Sequence, residues 1–369
     1  YIDKDMEIIM SEKSIGKLYE ELRFPIMGLA MLIIMVLHSG ISSPDSTLYK
    51  LLYFSAGVDI FFYLSGFGLI ISWQRNRTSF GQFMKKRLLR ILPTFWILTL
   101  ILFFFITNLP EATQKWFEVK YTIGFLLQQL FAISYLYQRE PMLWFIDSII
   151  VCYLFFPIVG SKFLDSEKKG KFIVITFIIL AVVSGVIGQT KTFFHLEAFV
   201  IRLFAFFLGI YFGHKVYNKK AEGTKAFKTW FNIILIFLGF LLVAVIFFLM
   251  NTFKLSYKQV VEMGWIWYPF PILVHPYIVL FLKIFNKLSK ASIFRPIIRL
   301  FGMMGQTSLQ LFLFHVYLFE IVKVVYKQYK FTGFYMRLSW VGVIVISITG
   351  AYVIFKLINK LETKVLKDI

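Results

Sequence analysis

The stretch GLAMLIIMVLHSG, Gly28 to Gly40, is aliphatic for most of a bilayer's width and then ends on His38. An imidazole in hydrocarbon has no water to bond with, so an ionisable residue there is costly and marks function by default. A neutral imidazole has two uses at that depth: it takes a proton from an attacking hydroxyl, or it carries a transferred group itself. The sequence leaves both open. A second group of chemical residues sits in QRNRTSFGQFMKKRLLR, 74–90, where Lys86, Arg87 and Arg90 precede another apolar run. Arg87 and Arg90, three apart, share a helical face. Paired guanidiniums suit bidentate phosphate contacts of a nucleotide-bearing donor. An interfacial helix whose cations meet anionic headgroups is the other reading of the same cluster.

Between these two lies VDIFFYLSGFGL, 58–69, an aromatic run interrupted by Ser65, Gly66 and Gly68. Small residues let a second helix or a ligand come close to the backbone. Asp59 near the start of this run is either solvated or paired with a cation from a neighbouring helix. Arg202 and Glu320 are intramembrane charges that must face the interior and find partners. His195 and Glu197 are expected at an outer edge, as a solvated cap or an acceptor contact, and His214 on the surface at the head of a basic loop. His275 precedes Pro276 and is expected to satisfy backbone carbonyls that the proline frees.

These residues need a membrane scaffold to position them, and the composition supplies one. Of 369 residues 59% are apolar, 16% are charged and 45 are Phe, more than a soluble domain keeps off its surface. The chain is therefore expected to be an all-α polytopic membrane protein. A single Cys152 excludes an intrachain disulfide framework, and no Cys/His cluster has metal-ligand spacing, so no metal is expected. The formal charge of +20 sits in short clusters between apolar runs, the pattern of positive-inside topology rather than of nucleic-acid binding. The first twenty residues lack the apolar core of a cleaved signal, so the first span is expected to target the chain.

Apolar segments of spanning length fall near 24–40, 51–73, 91–109, 121–137, 142–160, 172–188, 193–213, 229–250, 265–282, 300–325 and 338–358. The fourth carries Gln128 and Gln129 at its centre. If it does not cross, ten spans remain, both termini are cytoplasmic, and 28 of the 40 Lys and Arg fall in cytoplasmic segments against 10 outside. If it crosses, four basic clusters move outside, against the rule. The expectation is ten spans, with 121–137 re-entrant or lying at the outer surface. The organisation is then a cytoplasmic amphipathic segment 1–23, one transmembrane domain 24–360 and a cytoplasmic tail 361–369, with His38 towards the outer face and the 74–90 cluster on the inner one.

Taken in order, GLAMLIIMVLHS, VDIFFYLSGF and KKRLLRILPTFW resemble the membrane acyltransferase-3 family, as do LWFIDSIIVCYLFFP with Trp144, Tyr153 and Pro157, IRLFAFFLGIYFG, and MGQTSLQLFLFHVYLFE with His315. The resemblance covers roughly residues 20–330. It implies transfer of an acyl group, usually acetyl, from cytoplasmic acyl-coenzyme A to an acceptor at the outer face, often a sugar of a cell-surface polysaccharide. It also implies His38 as the catalytic residue, Arg87, Arg90, Arg23, Lys86 and Ser65 on the donor side, and Trp144, Tyr153, Asp59 and His315 in an acceptor or structural site. Two positions depart from the pattern. Met27 stands where the family has an Arg eleven residues before the His, leaving Arg23 one turn below as the nearest cation; and no Glu follows Trp144, Asp147 being the only acid nearby. A secondary transporter would share the many spans and buried charges, but no repeat relates the two halves of this sequence. A non-catalytic partner in polysaccharide or lipid export would need no His38.

Overall fold

The computed structural model describes residues 14–39, 52–53, 57–115, 120–133, 144–190, 196–218, 227–256, 259–260, 264–329 and 333–365, and every regular element among them is helical. In chain order these are α1 (Ile15–His38), α2 (Gly57–Arg75), α3 (Phe80–Thr107), the single turn α4 (Glu111–Gln114), α5 (Ile123–Leu130), α6 (Trp144–Asp165) and α7 (Lys169–Thr190). They continue with α8 (Leu196–Tyr217), α9 (Thr229–Thr252), α10 (Phe270–Lys290), α11 (Arg295–Gln306), α12 (Ser308–Tyr329) and α13 (Gly333–Val365). Among the described residues ten helices are long and apolar enough to cross a membrane. The protein is an all-α polytopic membrane protein.

The described part of the segment 121–137 is too short to cross. It forms α5, eight residues and so about 12 Å long, against a hydrocarbon core of about 30 Å. Thr122 caps it by accepting from the Phe125 N–H at 3.2 Å, and Trp96 Nε1 donates to the Leu130 carbonyl at its far end at 2.8 Å. Residues 134–137 of that segment lie outside the described residues, as do His195 and the side chain of Glu197.

Three boundaries differ from the sequence reading. α1 begins at Ile15 rather than near 24. The basic stretch 80–90 and the span that follows it are one helix of 28 residues ending at Thr107, running through Pro93 and capped by Ser79, which accepts from the Gln82 N–H. The segment 300–325 is two helices, broken at Thr307, whose hydroxyl turns back to the Met303 carbonyl at 3.0 Å.

Glycines set the closest helix contacts, as expected where packing rather than water exclusion holds helices together. A Cβ at Gly66 would stand 2.1 Å from the Phe206 carbonyl oxygen, and one at Gly209 2.0 Å from that of Tyr63, so α2 and α8 touch backbone to backbone. α1 and α11 do the same: Gly28 meets the Phe301 carbonyl and Gly305 that of Phe24, each at 1.9 Å from a built Cβ. Around this interior, α7 and α9 bury only 11% and 17% of their apolar windows inside the protein. Their exposed Ile, Val and Phe side chains form the lipid-facing surface.

Candidate active site

A cavity of about 320 Å³ lies between α1, α2, α3, α6 and α12. Its cationic wall comes from Arg23 on α1 and from Lys86, Arg87 and Arg90 on the first turns of α3. Arg90 is within electrostatic reach of both Arg23 and Arg87. The continuity of α3 aims these side chains inward: Arg87 packs its guanidinium 5.4 Å from the Phe83 ring centroid, and its Nε is buried with no hydrogen-bond partner among the described residues. Buried polar groups in native proteins are nearly always paired, so an unpaired guanidinium nitrogen in a cavity invites an anion. Like charges gathered round one space also repel each other unless something negative enters it.

The rest of the lining is Ser65, Gly68 and Ser72 from α2, Tyr153 from α6, and a run of apolar side chains that includes Met27, Met31 and Phe145. The small residues of α2 thus divide their work. Gly66 takes the neighbouring helix, while Ser65 and Gly68 face the cavity, Gly68 lying 4.0 Å from Arg23 Nη1 by its built Cβ. Met27 and Arg23 line the same cavity, so the cation one turn below the departed Arg position shares its space. Tyr153 stands beside Arg87 and Arg90 in this cavity, apart from Trp144 and Asp59, with which the sequence reading grouped it.

At the other end the lining reaches Ile34 on α1 and Phe312 on α12, the turns just before His38 and His315. These two histidines, 277 residues apart in sequence, meet with His38 Nδ1 3.1 Å from His315 Nε2. His315 is fully buried, and the rings of Phe312 and Phe319 pack edge-on against it at 5.5 and 5.3 Å. The pair's protons follow from its partners. His315 Nδ1 lies 3.0 Å from the Leu311 carbonyl, which can only accept, so Nδ1 carries a hydrogen. In the neutral ring Nε2 then accepts, and the hydrogen between the two rings sits on His38 Nδ1. His38 Nε2 is left with a free lone pair. A ring oriented by a second group, its basic nitrogen unblocked, is built to take a proton or to attack a carbonyl.

Asp59 and Trp144 belong to a different cluster. Arg202 Nε donates to Asp59 Oδ2 at 3.3 Å with both side chains buried, and its guanidinium lies 5.1 Å from the Trp144 ring, 4.3 Å from Trp267 and 5.5 Å from Phe270. Asp59 is thus paired rather than solvated. Glu320 likewise accepts from Lys323 at 3.0 Å. His275 Nδ1 meets the Tyr63 hydroxyl at 2.9 Å, its ring lies flat on Phe212, and the hydroxyl of Tyr63 is itself joined to that of Tyr19. His214 is not a free surface residue: it is half-buried, bonded to Gln74 of α2 and to Asn218.

The helical membrane architecture is that of an integral membrane protein, with a cationic cavity inside it and the His38–His315 pair one turn beyond the cavity's far end. A family model described as an acyltransferase domain, acyltransferase 3, matches residues 28–356, and the chain belongs to that family. No curated protein and no solved structure matches the chain.

Proposed function

We propose that this acyltransferase moves an acetyl or other short acyl group from cytoplasmic acyl-coenzyme A to a hydroxyl of a cell-surface carbohydrate at the outer membrane face. The observation that carries the proposal is the cavity that runs from Arg23, Arg87 and Arg90 to the turns beneath His38 and His315. Coenzyme A has the same two-part character, phosphates at one end and a thin pantetheine arm ending in the thioester. Cations suit the first part and an apolar passage the second. Along α1 the fifteen residues from Arg23 to His38 rise about 22 Å, a distance an extended arm must bridge. The basic-loop bias supports cytoplasmic termini and an inward cationic mouth.

In this mechanism the acceptor hydroxyl approaches from the side opposite the cavity. Its oxygen attacks the thioester carbonyl while His38 Nε2 takes its proton; the C–S bond breaks, the ester forms, and the coenzyme A thiolate leaves and is reprotonated from His38. His315 orients the ring and accepts from Nδ1–H throughout. Because a lone pair on Nε2 can also attack the carbonyl, a transient acyl-His38 leads to the same products.

The test is acetyl release from labelled acetyl-coenzyme A by the purified protein, with and without His38→Ala. Turnover that depends on His38 supports the enzyme. Turnover unaffected by the substitution refutes the assignment of His38. No turnover, with vectorial movement of a solute into vesicles, supports a transporter.

A further inference from the structure

A second, much smaller pocket of about 20 Å³ lies between α3, α5 and α12, with Thr99, Tyr121, Gln129, Tyr317 and Glu320 as its polar lining. Its volume is that of one water or one hydroxyl group. Gln129 is 1% exposed, and among the described residues neither its Oε1 nor its Nε2 has a hydrogen-bond partner. It is one of the two glutamines that weakened the fourth apolar segment as a span. The short helix that presents it is fixed at both ends, by Thr122 and by Trp96, so Gln129 is held at the pocket wall, away from solvent. Thr99 and Tyr317 hydroxyls bond to each other at 2.8 Å, and Glu320 is held by Lys323.

The position of this pocket relative to the histidines is what gives it meaning. On α12 the cationic cavity is lined by residues 308 to 312 and the small pocket by 316 to 320, with His315 between them. On α3 the order is the same: residues 86 to 91 line the first and 99 to 103 the second. The pocket therefore begins within about 2–8 Å of rise beyond His315, on the side away from the cations.

We propose that the Gln129 pocket is the acceptor subsite, and that it recognises a neutral hydroxyl of a sugar-type acceptor next to the hydroxyl being acylated. This rests on the acyltransferase reading above. The chemistry selects the ligand class. An unpaired amide needs one group that both donates and accepts, which a hydroxyl does. Glu320 disfavours an anion, and an apolar group would leave the amide unpaired.

The experiment measures how acetyl from labelled acetyl-coenzyme A partitions between sugar and water, with glucose, galactose and N-acetylglucosamine as probes and the purified protein in lipid nanodiscs. Gln129→Leu and Thr99→Val, both close in shape to the original side chains, are compared with the unsubstituted protein. The expected result is a fall of about tenfold in the sugar-to-water ratio and a rise of similar size in sugar KM, the loss of a neutral hydrogen bond. A purely structural role would lower sugar transfer and hydrolysis together and leave the ratio unchanged, which overturns the proposal. Failure of Gln129→Leu to fold leaves Thr99→Val to decide by the same ratio. Hydrolysis by the unsubstituted protein with no transfer to any of the three sugars overturns the sugar assignment, whereas no acetyl-coenzyme A turnover at all overturns the enzyme reading beneath it.

Discussion

If His315 acts only by orienting His38, removing the two histidines should not cost the sum of their separate losses. His38→Ala removes the proton acceptor, and a positioned acid–base group contributes typically about 10²–10⁴-fold, or about 2.7–5.4 kcal/mol at 1.36 kcal/mol per decade. His315→Phe fills the same space between Phe312 and Phe319 but removes the acceptor 3.1 Å from His38 Nδ1. A net neutral hydrogen bond is worth about 0.5–1.5 kcal/mol, so kcat should fall about 2–13-fold. His315→Gln offers a carbonyl oxygen to Nδ1–H and should recover part of that loss. The double variant should be no slower than His38→Ala alone, since a group that works through another has nothing left to act on. The assay is coenzyme A thiol release by purified protein, with coenzyme A affinity measured in parallel to show that the donor cavity is intact. A fully active His38→Gln protein refutes the chemical role of His38. Losses that multiply in the double variant refute the positioning role of His315.

Other outcomes follow from the same geometry. Arg87→Ala or Arg90→Ala should weaken coenzyme A binding by about 1.5–3 kcal/mol, the scale of a charged hydrogen bond, with Lys restoring only part of it; calorimetric affinity unchanged within error would return the cluster to lipid headgroups. Asp59→Ala leaves Arg202 buried without its ion partner and should destabilise the fold by about 3–5 kcal/mol, seen as early thermal aggregation in detergent. Gly305→Ala puts a methyl 1.9 Å from the Phe24 carbonyl and should lower kcat more than coenzyme A affinity, because α11 leads directly into the His315 helix. For topology, with buried Cys152 replaced, an impermeant thiol reagent on intact cells should label Ser43→Cys and spare Ser166→Cys; labelling of both would overturn cytoplasmic placement of the 162–171 loop.

The spans were legible because the bilayer imposes their length and apolarity, and both are one-dimensional properties of a sequence. The exclusion of 121–137 was legible for the same reason, through two glutamines and a charge balance. What composition does not carry is where an apolar run breaks: GMMGQTS, 302–308, has no proline and no charge, yet Gly305 is pinned by the Phe24 backbone and Thr307 ends the helix. At 80–107 the span boundary placed near 91, where charged residues give way to apolar ones, marks no break, because one helix runs through it. Individual site residues were readable from type and depth, but their partners were not. Nothing local links His38 to His315, Asp59 to Arg202 or Tyr63 to His275, because each pair is made by helices far apart in the chain.

Those two facts are connected. α1 carries Arg23 at one level and His38 about four turns higher, and it makes its closest contact, through Gly28 and Gly305, with α11. The chain breaks at Thr307 immediately afterwards, and α12 brings His315 to His38 while Ser308, Leu309 and Phe312 line the cavity. One unbroken helix from 295 to 329 would have to keep a single axis and could not lie against α1 at Gly305 and also line the cavity with the following turn. The break is thus what lets one segment both anchor the histidine-bearing helix and close the space in front of it. Sequence reasoning found the catalytic candidate from its cost in hydrocarbon, and the fold explains that cost: a backbone–backbone anchor below, a partner imidazole beside it, and cavities on both sides of the pair.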